Sequence, residues 1–302
     1  MSITPLAAVP PARRTAPAFR GRLGRDARSG HPAVPHRYRI HLSTACPDGL
    51  RLAIGHSLLG LDGSCPVTFL PAEPDRPGGG HSALRPLYEA SAHHYAGPAL
   101  GPVLSDDWSG RIVSTHAPDI LRDLDRFPRD GRAALYPCGT ESEIAAVERL
   151  CAEGIQQAAQ RAGQADADPA ERAAALESLL DTLGRLERYL RGGDGQDHLV
   201  GDRLTAADIE LWVALVQLDT VHRCHLDASA VHRIAGHPAL WAYARRLAAH
   251  PAFGTHLDLD GIARRHHGRC QGLEAAGAAV QILDWMGHAA ACPGAGAQVS
   301  DA

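Results

Sequence analysis

The spacing of hydrophobic residues changes near residue 140, and the two parts of the chain predict different structures. Before this point, four short apolar runs predict β-strands, at residues 37–43, 65–70, 102–105 and 111–115. Polar turn residues between the last two runs predict a hairpin. One helix is expected over residues 46–60, and another near Pro118, because proline suits a first helical turn.

Beyond residue 140 the pattern is helical. Six leucines share one face of the stretch 171–190 at a period of 3.6 residues: Leu176, Leu179, Leu180, Leu183, Leu186 and Leu190. The stretch 203–218 is apolar on nearly all sides, which predicts a buried central helix. Thr205 and Asp208 form a capping box at its start, so we assign them a structural role. Another amphipathic helix is predicted between two His-Pro pairs, over residues 237–253.

These patterns predict an α/β domain over residues 37–130, followed by an all-α domain over residues 140–272. Residues 1–36 contain much Pro, Arg and Ala, and they predict a flexible N-terminal arm. Residues 273–302 predict a loosely ordered C-terminal tail.

Charge and cysteine content narrow the function classes. The 302 residues have a formal net charge of −4, so no global field attracts nucleic acid. No stretch has the apolar core of a signal peptide or the length of a membrane span. The seven cysteines form no CxxC motif, which argues against a disulfide framework or a zinc ribbon. We therefore expect a cytoplasmic protein that acts on a small molecule, without a nucleic-acid or membrane partner.

Cys46 is the strongest chemical candidate, because it lies where the first strand turns into the first helix. Free N–H groups and the dipole at a helix N-terminus favour a thiolate. Asp48 lies two residues later, and its negative charge opposes ionisation of the thiol. Arg51 has two possible roles: it binds an anionic group, or it forms an ion pair with Asp48 at the i, i+3 spacing.

Several stretches resemble the glutathione transferase superfamily, and within it the glutathionyl-hydroquinone reductases, the Xi class. They are "RYRIHLSTACP", "YAGPALGPVL", "RIVSTHAPDIL", "HLVGDRLTAADIELWVALVQLD" and "HPALWAYARRL". The resemblance covers roughly residues 19–272. It implies a thioredoxin-like N-terminal domain, a helical C-terminal domain and a homodimer.

The resemblance also implies a reaction. Cys46 matches the redox cysteine of the family, which attacks the sulfur of a thiol–quinone adduct and is resolved by a second thiol. Pro102 matches the family's cis-proline. The thiol, glutathione or another such as mycothiol, would contact Pro102, Val103, His116, Ala117 and Arg51.

The sequence departs from the family at positions near the reacting groups. Pro47-Asp48-Gly49 replaces Pro-Trp-Ala, and His116-Ala117 replaces the acidic-then-small pair that holds glutathione. Histidines, including His222 and His266, replace tyrosines of the substrate pocket. Because imidazoles transfer protons near neutral pH, one alternative is an enzyme that uses these histidines and Asp48 without a thiol. A non-catalytic small-molecule-binding protein is another.

Several histidines and cysteines in the C-terminal part of the chain could bind a metal ion. The candidates are His222, Cys224, His225, His266, His267 and Cys270. Their spacing along the chain matches no standard ligand pattern, so no metal is expected.

Overall fold

The computed structural model describes most of the chain. The described residues are 19–24, 30–127, 131, 134–192, 197–270 and 281–285. No helix within these ranges combines the length and the apolar character that crossing a membrane requires.

The N-terminal domain is built on a four-stranded mixed sheet with the strand order β2-β1-β3-β4. The strands are β1 (Tyr38–Leu42), β2 (Val67–Phe69), β3 (Val103–Asp106) and β4 (Arg111–Ser114). β2 runs parallel to β1, whereas β3 is antiparallel to both β1 and β4. The domain's helices are α1 (Pro47–Leu59), α2 (Arg85–Ser91) and α3 (Ala117–Leu124), with short 3-10 turns at Pro77–Gly79 and Ser82–Leu84.

Local sequence explains the elements around α1. In β1 the apolar residues Tyr38, Ile40 and Leu42 alternate with less buried ones, as expected of a strand with one face in the core. α1 begins at Pro47, whose missing N–H costs nothing there. It ends at Gly60, which adopts the left-handed conformation (φ 60°) that glycine tolerates best.

The C-terminal domain is helical throughout. α4 (Glu141–Arg149) continues through a π-helical segment (Leu150–Gln157) into α5 (Ala158–Ala162). The following helices are α6 (Pro169–Gly192), α7 (Ala206–Thr220), α8 (Ala228–Ala235), α9 (Pro238–Ala248), α10 (Pro251–Gly254) and α11 (Leu259–Cys270). A 3-10 turn, His222–His225, links α7 to α8. The predicted fold class, an α/β domain followed by an all-α domain, is confirmed.

α7 is the central helix that the apolar pattern predicts. Nearly all of its side chains are buried, Trp212 completely. The capping box is present, because the backbone N–H of Thr205 donates to Asp208 Oδ2 at 2.8 Å. Asp208 Oδ1 also accepts hydrogen bonds from the backbone N–H of Leu199 (2.9 Å) and from the Tyr243 hydroxyl (2.7 Å). One buried carboxylate therefore organises the start of α7.

The two domains share a continuous hydrophobic core, in which α1 packs against α3 and α7. Gly55 of α1 allows this close approach. A Cβ at this position would collide with a side-chain methyl group of Leu121 in α3 and lie 3.8 Å from Ile209 in α7. The helix that carries the N-terminal domain's candidate thiol is thus held by the helical domain.

The N-terminal segment differs from the predicted flexible arm. Leu23 is fully buried, and the backbone N–H of Leu23 donates to Asp123 Oδ2 at 2.7 Å. The Arg22 guanidinium contacts both Asp123 (2.8 Å) and Asp119 (3.0 Å) of α3. Residues 19–24 therefore belong to the packed N-terminal domain, held by charges about one hundred residues away along the chain.

The predicted C-terminal tail also contains a packed segment. Leu283 and Trp285 are buried, and Trp285 lies edge-on to Trp212 with ring centroids 5.9 Å apart. Asp219, near the end of α7, accepts hydrogen bonds from the backbone N–H groups of Ile282 (2.8 Å) and Leu283 (3.0 Å) and from Trp285 Nε1 (2.9 Å). Residues 281–285 thus dock on the helical domain.

Candidate functional site

Three segments predicted to carry chemistry meet at one end of the sheet. Cys46 follows the C-terminal end of β1, and Pro102 precedes the N-terminal end of β3. Because these strands are antiparallel, with His41 opposite Val103, both residues lie at the same end. β4 is antiparallel to β3, with Ser114 opposite Leu104, so His116 also follows at this end. The topology therefore brings together the cysteine, the proline and the altered loop.

Cys46 is the N-cap residue of α1 and is half-buried. Its backbone is extended (φ −102°, ψ 134°), and its carbonyl accepts the first helical hydrogen bond from the N–H of Leu50 at 2.8 Å. The amides of Asp48 and Gly49 precede that first bond, so the positive end of the helix dipole lies at the thiol. The structure thus places Cys46 at the strand-to-helix turn that the sequence predicts.

Gly49 has a steric role that sequence reasoning missed. A Cβ on this residue would collide with the backbone carbonyl oxygen of Ser43. The same carbonyl accepts a hydrogen bond from the N–H of Cys46 at 3.1 Å. The turn before α1 therefore closes tightly, and only glycine fits at residue 49 without moving the Cys46 loop.

Asp48 and Arg51 form the predicted ion pair, at 3.0 Å between Oδ1 and Nη1. Arg51 also donates from Nη2 to Glu210 Oε1 of α7 at 2.9 Å. Only 11% of the Arg51 side chain is exposed and 15% of the Glu210 side chain, so this is a buried interdomain ion pair. Burial raises the pKa of Glu210 despite the opposing charge of Arg51.

The structure shows the ion-pair role of Arg51, because its guanidinium contacts two carboxylates. Binding of an anionic group by Arg51 stays a prediction. The guanidinium also balances the charge of Asp48, two residues after Cys46. Glu210 could have been suspected from the sequence, because a carboxylate inside an otherwise apolar helix needs a partner.

The structure confirms the predicted cis peptide bond before Pro102. Val103, the next residue, is completely buried in a small core cluster with Leu70, Leu84 and Tyr88. The side chain of Val103 therefore supports the loop, and only its backbone groups are suited to contact a thiol.

His116 and Ala117 form the start of α3, with His116 as the N-cap residue. His116 Nδ1 lies 2.9 Å from Asp119 Oδ2, without the alignment of a hydrogen bond. Asp119 also accepts a hydrogen bond from Arg20 and contacts Arg22. Burial opposes its ionisation, but the hydrogen bond from Arg20 and the charges of Arg22 and His116 together lower the pKa of Asp119. The Asp119 carboxylate in the first turn of α3 is thus held ionised close to the His116-Ala117 pair.

A second group of side chains lies in the helical domain, around the 3-10 turn after α7. His225 Nε2 lies 3.2 Å from His266 Nε2, and Cys270 Sγ lies 3.4 Å from each of these nitrogens. Burial, followed by the charges of His225 and His266, lowers the pKa of His222 to about 4. His222 is therefore neutral at pH 7. His267, by contrast, points to solvent.

α11, which carries His266 and Cys270, also contacts the N-terminal domain. Arg265 donates from Nη1 to the backbone carbonyl of Ala72 at 3.0 Å, in the loop after β2. Arg264 lies 3.4 Å from Glu73 of the same loop. The predicted catalytic residues His222 and His266 thus belong to a cluster at a helix that borders both domains.

Comparison with known proteins finds relatives among the glutathione transferases. A family model described as "Glutathione S-transferase, C-terminal domain" matches residues 169–246. The glutathionyl-hydroquinone reductase PcpF of Sphingobium chlorophenolicum is 30% identical over 271 residues, covering 83% of this chain and 82% of the relative.

Solved structures agree with the sequence match. The glutathione S-transferase Xi of Phanerochaete chrysosporium superimposes with a TM-score of 0.70 at 27% identity, covering 84% of this chain and 91% of that one. The glutathione-bound structure of YqjG, a glutathione transferase homologue from Escherichia coli K-12, gives a TM-score of 0.69 at 25% identity. That match covers 82% of this chain and 87% of the other.

Proposed function

Because the chain belongs to the glutathionyl-hydroquinone reductase family, the Xi class of the glutathione transferase superfamily, we propose that it is a thiol-dependent transferase or reductase with Cys46 as its nucleophile. Its substrates would be thiol adducts of quinone-like or other electrophilic small molecules. The observation that carries the proposal is the position of Cys46, half-buried at the N-cap of α1 and at the same end of the sheet as the cis-proline.

The proposed reaction has two steps. The Cys46 thiolate attacks the sulfur of the adduct, so a sulfur–sulfur bond forms and the bond between sulfur and the ring carbon breaks. The ring carbon takes up a proton and leaves as the hydroquinone, reduced by two electrons, while the two sulfurs are oxidised to a mixed disulfide. A second thiol then attacks this disulfide, releases the oxidised thiol dimer and restores the Cys46 thiolate.

Glutathione is the thiol we propose first, because a relative of the same fold has been solved with glutathione bound. The backbone of Pro102 and Val103 would hold its extended chain, much as an open sheet edge accepts a strand. Since His116 and Ala117 replace the usual pair, Asp119 supplies the only carboxylate that the described residues place in the first turn of α3. Mycothiol remains the alternative thiol for this altered loop.

The histidine cluster supports a second candidate function, an enzyme that works without a thiol. His222 is neutral at pH 7 and could accept a proton, with His266 beside it. Asp48, the third residue of that hypothesis, is held by Arg51 instead, which weakens the case.

A steady-state assay distinguishes the two functions. The reduced full chain is mixed with a glutathionyl-hydroquinone and excess glutathione, and hydroquinone and oxidised glutathione are quantified together. We expect equal amounts of both products, no turnover by Cys46→Ser, and unchanged turnover by Cys138→Ser, since Cys138 is an exposed cysteine in another segment. Full activity of Cys46→Ser would transfer the chemistry to the histidines. Homodimer formation and a cytoplasmic location stay predictions.

A further inference from the structure

Three side chains of the helical domain converge on one point, and the thiol reaction uses none of their contacts. They are His225, His266 and Cys270, named here the His–Cys cluster. All three are at least half-buried. The cluster combines two imidazole nitrogens and one thiol sulfur.

The distances within the cluster match the edges of a metal coordination polyhedron. With Zn–N of about 2.05 Å and Zn–S of about 2.3 Å, a tetrahedral centre has N···N edges of about 3.3 Å and N···S edges of about 3.6 Å. The structure has 3.2 Å between the two Nε2 atoms and 3.4 Å from Cys270 Sγ to each of them, and Sγ also lies 3.2 Å from His266 Nδ1. The three ligand atoms are thus slightly closer together than the edges of a tetrahedral site, and the Cys270 side chain has to turn away from the His266 ring before Sγ and Nε2 bind one ion.

The backbone brings these three side chains together before any ion binds. His266 and Cys270 lie four residues apart on α11, so their side chains share one helix face. His225 ends the 3-10 turn that follows α7, and α7 packs against α11. Contacts of Arg265 and Arg264 with the loop after β2 fix α11 further.

We propose that His225 Nε2, His266 Nε2 and Cys270 Sγ form a three-ligand site for a borderline-soft divalent metal ion, Zn²⁺ foremost. Imidazole and thiolate suit Zn²⁺ and its neighbours in the first transition row, whereas Mg²⁺ and Ca²⁺ require oxygen ligands. Three protein ligands leave the fourth tetrahedral position for water or a small molecule, as in open zinc sites.

The spacing along the chain does not reveal this site. His225 and His266 are 41 residues apart, and only the packing of α11 near the 3-10 turn brings them together. Spacing along the chain alone leads to the expectation that no metal binds. The packing of these three side chains leads to the opposite inference.

Titration of the reduced, metal-free full chain with Co²⁺ tests the proposal, because tetrahedral Co²⁺ bound to a thiolate has intense visible bands and a charge-transfer band. We expect one Co²⁺ per chain, displaced by Zn²⁺. Cys270→Ser and His266→Gln should weaken binding by more than about 100-fold, since even an outer-shell partner costs about 10–100-fold. His267→Gln is the matched control, because His267 is the exposed neighbour on α11, and it should bind as the wild type does.

A second measurement does not depend on the folding of a variant. In the wild-type chain, Zn²⁺ should protect Cys270 from iodoacetamide but leave the exposed Cys138 unprotected. The proposal is overturned if wild-type chain shows no thiolate–Co²⁺ bands, if Cys270→Ser retains them, or if Zn²⁺ fails to protect Cys270. None of these outcomes depends on activity at Cys46, so the two proposals fail separately.

Discussion

Arg51→Met removes the cation that joins the Cys46 helix to the helical domain, and we expect a large loss of stability. In the wild-type protein the guanidinium contacts Asp48 of its own helix and Glu210 of α7. The substitution keeps most of the side-chain volume but leaves Glu210, 15% exposed, without its partner. The effect should therefore be electrostatic and not a cavity.

The size of the expected stability loss follows from the burial of the ion pair between Arg51 and Glu210. Removing one partner of a buried ion pair costs about 3–5 kcal/mol, because the remaining charge stays desolvated. Replacing both partners by apolar residues of similar volume is often neutral or stabilising. We therefore expect Arg51→Met to lower the free energy of unfolding by about 3–5 kcal/mol, and Arg51→Met/Glu210→Met to recover most of this loss.

The measurement is a double-mutant cycle by urea unfolding, with the wild type, Arg51→Met, Glu210→Met and the double variant. Arg245→Met, in an exposed arginine of α9, is the control and should change stability by no more than about 0.5 kcal/mol. A single variant within about 1 kcal/mol of the wild type, or no recovery in the double variant, would refute the reasoning.

Three further predictions concern other contacts. Gly49→Ala should lower the free energy of unfolding in urea by about 1–3 kcal/mol and slow Cys46 alkylation, because the added Cβ collides with the Ser43 carbonyl. The control Gly184→Ala lies in open space on α6 and should be neutral or stabilising. Equal stability changes in the two variants would contradict this prediction. Because the pKa of Asp119 is lowered from 3.8 in the folded state, its contribution to stability is present above pH 3.8 and lost as the pH falls through the folded value. Asp119→Asn should flatten the acid limb of the unfolding free energy below pH 3.8, and an unchanged limb would count against the Arg20–Arg22 network. Asp219→Ala should release residues 281–285, because three hydrogen-bond donors lose their acceptor, at a cost of about 1–3 kcal/mol each. We expect faster hydrogen exchange at the backbone amide of Leu283. Unchanged exchange would show that Asp219 does not anchor this segment.

Local signals in the sequence were sufficient for most elements. The alternation in residues 37–43 and the Thr205–Asp208 pair predict β1 and the start of α7, because both depend on residues a few positions apart. The place of Cys46 at the start of α1 follows in the same way. These predictions needed no knowledge of the tertiary structure.

Contacts between distant residues account for what the sequence did not show. Leu23 and Arg22 pair with Asp123 across about one hundred residues, and nothing in their own segment signals a packed structure. Asp219 could have been suspected, because a carboxylate in the apolar run of α7 needs partners. Arg223 is a local one, but the three hydrogen-bond donors lie in residues 281–285. The close approach of Gly49 to Ser43 and the geometry of the His–Cys cluster likewise depend on the folded backbone.

A single-turnover reaction tests the central claim, that Cys46 is the nucleophile, most directly. The reduced full chain is mixed with one equivalent of a glutathionyl-hydroquinone in the absence of free thiol, and intact mass is followed by peptide mapping. We predict release of one hydroquinone per chain and one glutathione bound to Cys46 through a disulfide that a reductant removes. Hydroquinone released without a bound glutathione, or glutathione bound to another cysteine, would contradict the account.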